Sequence, residues 1–334
     1  MITDDYIDYI RTVRRYSART QEIYRAVLDG FAAFAAGEGA EADDGTVLAA
    51  LTPSSIRNYE VQLLDERQED PRTVNLHLSV LSGFCRYLIH RQVIASNPVR
   101  LVARPKTAKR LPAFYREDAM TEYFTRTERV ASEEALADLR ALVAAASPAD
   151  KTAVEWYEQR LRRLILSILY CTGIRRSELL GLTVGSLDVS RGTMSVRGKG
   201  DKMREIPVVA GLCKEILLYL QSVETMTGVQ PAPGRALLLT VKGRPLYPVY
   251  VDRAIKRELG DVAGISGRKS PHVFRHTLAT ELLDKGTDLN SIKELLGHAS
   301  LAATQVYTHN SIEKLKSVYK TAHPRAKRGG NNGH

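Results

Sequence analysis

Apolar residues recur at three- and four-residue spacing through most of the first hundred positions, the signature of amphipathic helices. In YSARTQEIYRAVLDGFAAFA the residues Ile23, Tyr24, Val27, Leu28, Phe31 and Phe34 share one stripe, with Ser17 placed as an N-cap. PRTVNLHLSVLSGFCRYLIHR repeats the pattern with Val74, Leu78, Leu81, Cys85, Leu88 and Ile89. The spacing predicts a small domain of four or five helices. It breaks at ASNPVRLVARPKTAKRLP, residues 95 to 112, which holds three prolines, no acidic residue and the cations Arg100, Arg104, Lys106, Lys109 and Arg110. That composition predicts a basic, extended linker, read either as a solvated tether or as a strap across a phosphate backbone.

Beyond the linker, LRRLILSILYC sets Leu161, Leu164, Ile165, Ile168 and Leu169 at the spacing of a buried helix that stops at Thr172-Gly173. TMSVRGKGDKMREIPV reads as two short strands around a Gly-Lys-Gly-Asp turn. SPHVFRHTLATELLDKG reads as a helix with Ser270 as N-cap, Pro271 at the first helical position and Gly286 as the stop. The tail GGNNGH is expected to be disordered.

A length of 334 residues favours two domains over one. The net charge of +10 calls for a polyanionic partner, nucleic acid first and an acidic membrane surface second. No run of eighteen apolar residues occurs, and the start MITDDYIDYI is acidic where a secretory signal is basic and then apolar, so a cytoplasmic location is expected. Cys85, Cys171 and Cys213 are odd in number and embedded in apolar segments, which predicts reduced core thiols with neither a disulfide framework nor a zinc site.

Several groups could carry chemistry. His272 and Arg275 stand three residues apart in the first turn of one helix, beside free backbone N–H groups that suit a phosphate. Arg175, in TGIRRSELLGL, needs an anion if its guanidinium is buried, either Glu178 three residues on or a phosphate from outside. Lys199 occupies a hairpin tip between two glycines, where an ammonium is either simply solvated or able to deliver a proton. HASLAATQVYTH, residues 298 to 309, has only His298, Tyr307 and His309 as ionisable groups. A phenol with a pKa of about 10 attacks nothing at neutral pH unless cations surround it. Each feature has an ordinary structural reading, but all of them occur together in one domain.

The motifs TGIRRSELLGL, RGKGDKMREIPV, PHVFRHTLAT, LLGHASLAATQVYTH and LKSVYKTAHPRA resemble the tyrosine recombinases, the lambda-integrase family, over about Tyr16 to Arg325. The last of them is most similar to the Xer branch. Carried over position by position, the resemblance implies Arg175, Lys199, His272, Arg275 and His298 as the catalytic set and Tyr307 as the nucleophile. It implies that Tyr307 attacks a DNA phosphate to form a 3′-phosphotyrosyl bond, that the arginines hold the non-bridging oxygens, and that Lys199 protonates the 5′-oxygen. His272 becomes the acid/base partner of Tyr307 and His298 a donor to the phosphate. No metal or nucleotide cofactor is expected, because the phosphodiester energy is kept in the tyrosyl link.

The implied fold is mainly α: a SAM-like helical core-DNA-binding domain over residues 1–100, a basic linker over 101–112, and a catalytic domain over 113–325. The catalytic domain is expected to be mixed α-helical with a small antiparallel β-sheet or hairpin, the whole forming a C-shaped clamp on DNA, with residues 326–334 a disordered tail. Implied partners are double-stranded DNA at a specific site, a homo- or hetero-tetramer on two sites joined through a Holliday junction, a second Xer-type recombinase and an FtsK-like DNA translocase, with no membrane. Ile312, Leu315, Val318 and Tyr319 predict an amphipathic helix that docks into a neighbour or folds back. The chain between Leu111 and Thr172 is longer than the Xer pattern, which predicts an extra helix contacting DNA or a neighbouring protomer, or a surface insertion. Dimer resolution of chromosomes or plasmids is the expected role. An integrase or invertase of a mobile element, a type IB topoisomerase and an idle DNA-binding protein of the same fold are the rivals.

Overall fold

The computed structural model describes residues 1–37, 39–107, 113–198 and 201–297. The chain divides into two compact units, Met1–Arg110 and Leu111–His334.

The first unit contains α1 (Ile2–Thr12), α2 (Ala18–Ala36), α3 (Asp44–Ala49), α4 (Pro53–Val61) and α5 (Pro71–His90). Local chemistry sets their starts. Ser17 accepts from the Thr20 amide, Asp43 from that of Thr46, Thr52 from that of Ser55 and Asp70 from that of Arg72, each satisfying an N–H that the first helical turn leaves over. Phe31, Ile56, Leu78, Leu81, Phe84, Cys85 and Leu88 form the centre of the core.

The basic stretch that follows is not an extended tether from its start. Pro98–Leu101 makes a 3-10 turn capped by Asn97, and Val99 and Val102 are buried in the core of this unit. Asn75 Nδ2 donates to the Pro105 carbonyl, and Arg104 Nη1 donates to Ser79 Oγ at 3.0 Å. Two valines three residues apart suffice to hold one turn, a signal too short for periodicity to register. Arg100 and Lys106 are exposed, and Arg104, although exposed, is held against α5. Lys109 and Arg110 lie outside the described residues.

The second unit is built around α8 (Lys151–Thr172), in which every residue from Arg160 to Thr172 is buried and which ends at Gly173 in the left-handed conformation. α10 (Ala210–Thr227), α11 (Pro248–Glu258) and α12 (Pro271–Asp284) all pack against it. The sequence before α8 folds as α6 (Glu117–Arg126), a 3-10 turn and α7 (Glu133–Ala145). α7 buries Leu136 and Leu139 and packs on α8 and α10, and Arg160 Nη2 donates to the Ser132 carbonyl at its N-cap. The extra length is thus part of the core packing of this unit.

Between α9 (Arg176–Leu180) and α10 lies an antiparallel sheet in the order β1 (Leu187–Asp188), β2 (Thr193–Arg197), β3 (Met203–Pro207). Val196 pairs with Arg204 and Met194 with Ile206. The predicted hairpin is therefore two strands of a three-stranded sheet; the two-residue β1 carries no alternation to read. α13 (Leu289–Leu296), capped by Asp288, completes the described fold and ends at Gly297. The fold is mainly helical with a small antiparallel sheet, as the sequence predicts. The three cysteines are buried and unpaired with one another. Among the described residues no helix is long and apolar enough to cross a membrane.

Candidate active site

Arg175 is the N-cap residue of α9, directly after the turn that ends α8. Its Nη1 donates to Glu178 Oε1 at 2.7 Å, its backbone N–H to Glu178 Oε2 at 2.7 Å, and its Nη2 to the Gly297 carbonyl at 3.0 Å. The side chain keeps 33% of its surface exposed, so Arg175 is only partly buried. The adjacent Arg176 turns away to Asp252.

Arg275, in α12, is buried and donates to two carbonyls, Gly173 at 3.0 Å and Leu296. Burial, followed by repulsion from Arg175 and Arg204, lowers its pKa to about 10. The guanidinium remains a cation at neutral pH, but it is held at a cost that an arriving anion would relieve.

Arg204, on β3, is the third member. Its Nη1 and Nη2 donate to the two oxygens of Glu178, both at 2.9 Å, and its Nε to the Leu295 carbonyl at 3.2 Å. Burial alone would raise the Glu178 pKa, but the bonds from Arg204 and from the Arg175 backbone and side chain outweigh it and hold the carboxyl at about 2. Three consecutive carbonyls at the end of α13, those of Leu295, Leu296 and Gly297, thus accept from three arginines on β3, α12 and the α9 N-cap. A helix C-terminus concentrates partial negative charge, so it is a natural anchor for cations. Gly297, at φ +65°, is required there: a Cβ would lie 3.1 Å from the Arg204 side chain.

Of the sequence-predicted set, the fold brings Arg175 and Arg275 together around one carboxylate. His272 is exposed at the second position of α12 and lines an open cleft of about 450 Å³ with Arg176, Lys256, Arg268, Lys269 and Ser270. Ser270 is the N-cap of α12, and its buried Oγ has no hydrogen-bond partner among the described residues. Lys199, His298 and Tyr307 lie outside the described residues. The chain at Gly198, one position before Lys199, runs beside the cluster, since a Cβ there would lie 3.5 Å from Arg204 Nη1. Likewise Gly297 immediately precedes His298 in sequence. Sequence reasoning missed Arg204, although it stands in the quoted motif RGKGDKMREIPV. The available signal was its inward register on β3, between the exposed Met203 and the half-buried Glu205. A buried arginine in a short strand needs an anion. Among the described residues no group of three or more His, Cys, Asp or Glu side chains could hold a metal ion.

A family model described as "Phage integrase family" matches residues 138–314, and one described as "Phage integrase, N-terminal SAM-like domain" matches residues 3–92. The chain belongs to the phage integrase family. "Tyrosine recombinase XerC" of Chlorobaculum parvum is 31% identical over 327 residues, covering 97% of this chain and 94% of the relative. The protein of the same name from Bacillus pumilus is 32% identical over 323 residues, covering 96% and 95%. In fold the chain is similar to a XerH site-specific recombinase bound to a palindromic difH substrate, with a TM-score of 0.63, 18% identity and coverage of 95% of this chain and 84% of that one. A lambda integrase dimer bound to a COC′ core site gives a TM-score of 0.58 at 18% identity, covering 90% and 73%. This tyrosine recombinase is accordingly a DNA-binding enzyme of site-specific DNA recombination.

Proposed function

We propose that this recombinase exchanges DNA strands at one specific site through a 3′-phosphotyrosyl link to Tyr307. The carrying observation is that Arg175 and Arg275, separated by a hundred positions of chain, are held in one cluster that contains a single carboxylate among the described residues. Such an excess of fixed positive charge suits the phosphoryl group of a phosphodiester, whose negative charge grows in the pentavalent transition state.

In this reading Tyr307 Oη forms a bond to phosphorus while the bond to the 5′-oxygen breaks. Arg175 and Arg275 hold the non-bridging oxygens, and Lys199 gives the departing 5′-oxygen its proton. His272 exchanges a proton with Tyr307, and His298 donates to the phosphate. The chain continuity of Gly198 with Lys199 and of Gly297 with His298 supports both assignments. The freed 5′-hydroxyl then attacks the phosphotyrosyl of a partner strand, restoring a phosphodiester through a Holliday junction. The basic cleft beside His272, with the unpartnered Ser270 hydroxyl at a helix N-terminus, suits a backbone phosphate of the same duplex.

Residues 1–100 serve as the core-site-binding domain, 101–112 as the linker and 113–325 as the catalytic domain, with Arg100, Arg104, Lys106, Lys109 and Arg110 as the cations available to the DNA backbone. Near-complete coverage of relatives named XerC supports resolution of chromosome or plasmid dimers by a tetramer on two sites, with a second Xer-type recombinase and an FtsK-like translocase as partners. The test uses a nicked duplex carrying a site enriched by the protein from a random DNA library. A denaturation-resistant protein–DNA adduct is expected with the wild type and lost in Tyr307→Phe, which still binds. An adduct of normal yield with Tyr307→Phe would refute the assignment.

A further inference from the structure

We propose that Arg204 is a positioning residue of the recombination site, which acts through Glu178 to fix Arg175 and ties β3 to the end of α13. The inference rests on the role proposed above for Arg175 at the scissile phosphate.

Three observations carry it. First, Arg204 cannot serve the substrate itself: it is 6% exposed, and each of its three nitrogens already donates, two to Glu178 and one to Leu295. Arg175, by contrast, is 33% exposed and can meet a ligand. Second, Glu178 is shared. Oε1 accepts from both Arg204 and Arg175, and Oε2 accepts from Arg204 and from the Arg175 backbone. A bidentate guanidinium fixes the carboxylate plane, and that plane sets where the Arg175 fork points. Third, α9 is a helix of one turn, and its N-cap carries Arg175. So short an element has little rigidity of its own, and a 1 Å error at a phosphate ligand is costly. β3 supplies the missing support from a paired strand, where Arg204 lies opposite Val196.

Charge bookkeeping agrees with this arrangement. With Arg204 counted, three guanidiniums lie at one carboxylate among the described residues, so the cluster keeps a net excess of positive charge even though Glu178 pairs with both Arg204 and Arg175. Without Arg204, Glu178 would be held by Arg175 alone, and the carboxylate plane to which the Arg175 fork is bonded would lose its second, bidentate anchor.

The experiment compares two nicked duplexes carrying the enriched site, one with the ordinary phosphodiester at the scissile position and one with a methylphosphonate. The methylphosphonate replaces a charged non-bridging oxygen by a methyl group, so less negative charge develops and less depends on how the arginines are set. Arg204→Met is expected to bind DNA normally and to form the Tyr307 adduct on the phosphodiester about tenfold to a hundredfold more slowly than wild type. Arg204→Lys should behave similarly, since an ammonium cannot bridge both carboxylate oxygens. On the methylphosphonate the deficit should shrink to about threefold or less. A general loss of folded protein slows both substrates equally, so equal deficits, or none, overturn the proposal. If Arg204→Met does not fold, Glu178→Gln gives the same reading, with the same selective deficit expected. A wild type that forms no Tyr307-dependent adduct on either duplex removes the underlying assignment, and this inference with it.

Discussion

Two groups of arginines in the second unit, all buried but the partly exposed Arg175, are built on different balances of charge. On α8, Arg162 is met by three carboxylates, Glu155 at 2.9 Å, Glu158 at 3.6 Å and Glu258 at 2.8 Å, and Arg163 pairs with Glu215. Around the end of α13, Arg175 and Arg204 share the carboxylate of Glu178, Arg275 donates only to carbonyls, and no other carboxylate pairs with the three among the described residues. Arg162 and Arg163 are compensated from within, so their charges serve packing; Arg160 on the same helix has no ion pair among the described residues and is held by the Ser132 carbonyl. The second group is left cationic and therefore prepared for an anion from outside. A buried arginine alone says little about function; the number of carboxylates around it says more.

Breaking the compensated group should cost stability and spare chemistry. Arg162→Met removes the buried cation from Glu158 and Glu258, which keep only the Tyr250 and Tyr123 hydroxyls, and leaves Glu155 to Arg257; a loss of about 3 kcal/mol is expected in denaturant unfolding. The adduct rate per folded molecule should be unchanged; a rate loss beyond the folded fraction would erase the contrast. Breaking the cationic group should do the reverse. Arg275→Met removes a buried cation with no carboxylate of its own, so adduct formation is expected to fall by about 10²–10³-fold while unfolding shifts little. Adduct formation at the wild-type rate would contradict the assignment of that cluster.

A third perturbation uses a buried acid on the same helix as Arg275. Glu281 accepts from the Tyr170 hydroxyl, and its other oxygen is buried without a partner among the described residues. Burial raises its pKa to about 7, with Glu117 and Asp284 adding to the shift and Tyr170 and Lys285 opposing it. The folded state therefore prefers the protonated acid, and that contribution to stability is present below the unfolded pKa of about 4.5 and lost as pH rises through about 7. Glu281→Gln should flatten the fall in stability between these values, by about 1–3 kcal/mol at pH 8. A variant with the wild-type pH profile would rule this out. Glu178 has the opposite sign: held at about 2, its contribution persists above the usual carboxylate pKa and is lost as pH falls toward 2.

The smallest effect is the most direct probe of the uncompensated charge. Inorganic phosphate at tenfold its dissociation constant should stabilise the wild type by about 1.4 kcal/mol over chloride of equal ionic strength. Arg275→Met should lose that increment and Arg162→Met keep it; equal stabilisation of all three would mean that the anion does not bind the cluster.

The sequence by itself determined most of the elements and singled out candidate residues for the chemistry. Helical periodicity and capping act over three or four positions, so Ser17, Gly173, Ser270 and Gly286 mark element ends in both the pattern and the structure. Motif spacing also sufficed to single out Arg175 and Arg275 as residues needing an anion. It left open whether the partner of Arg175 was Glu178 or a phosphate; the structure shows Glu178 bonded to it, with the side chain still partly exposed. The apolar hold on Val99 and Val102 and the pairing of the two-residue β1 escaped notice because each is too short to have a period. Arg204 escaped for a different reason. Its bond to Leu295 spans 91 positions, and the Arg175 bond to Gly297 spans 122. Only tertiary packing brings β3, the start of α9 and the first turn of α12 to the same three carbonyls, because a hydrogen bond between distant segments leaves no local pattern in either of them.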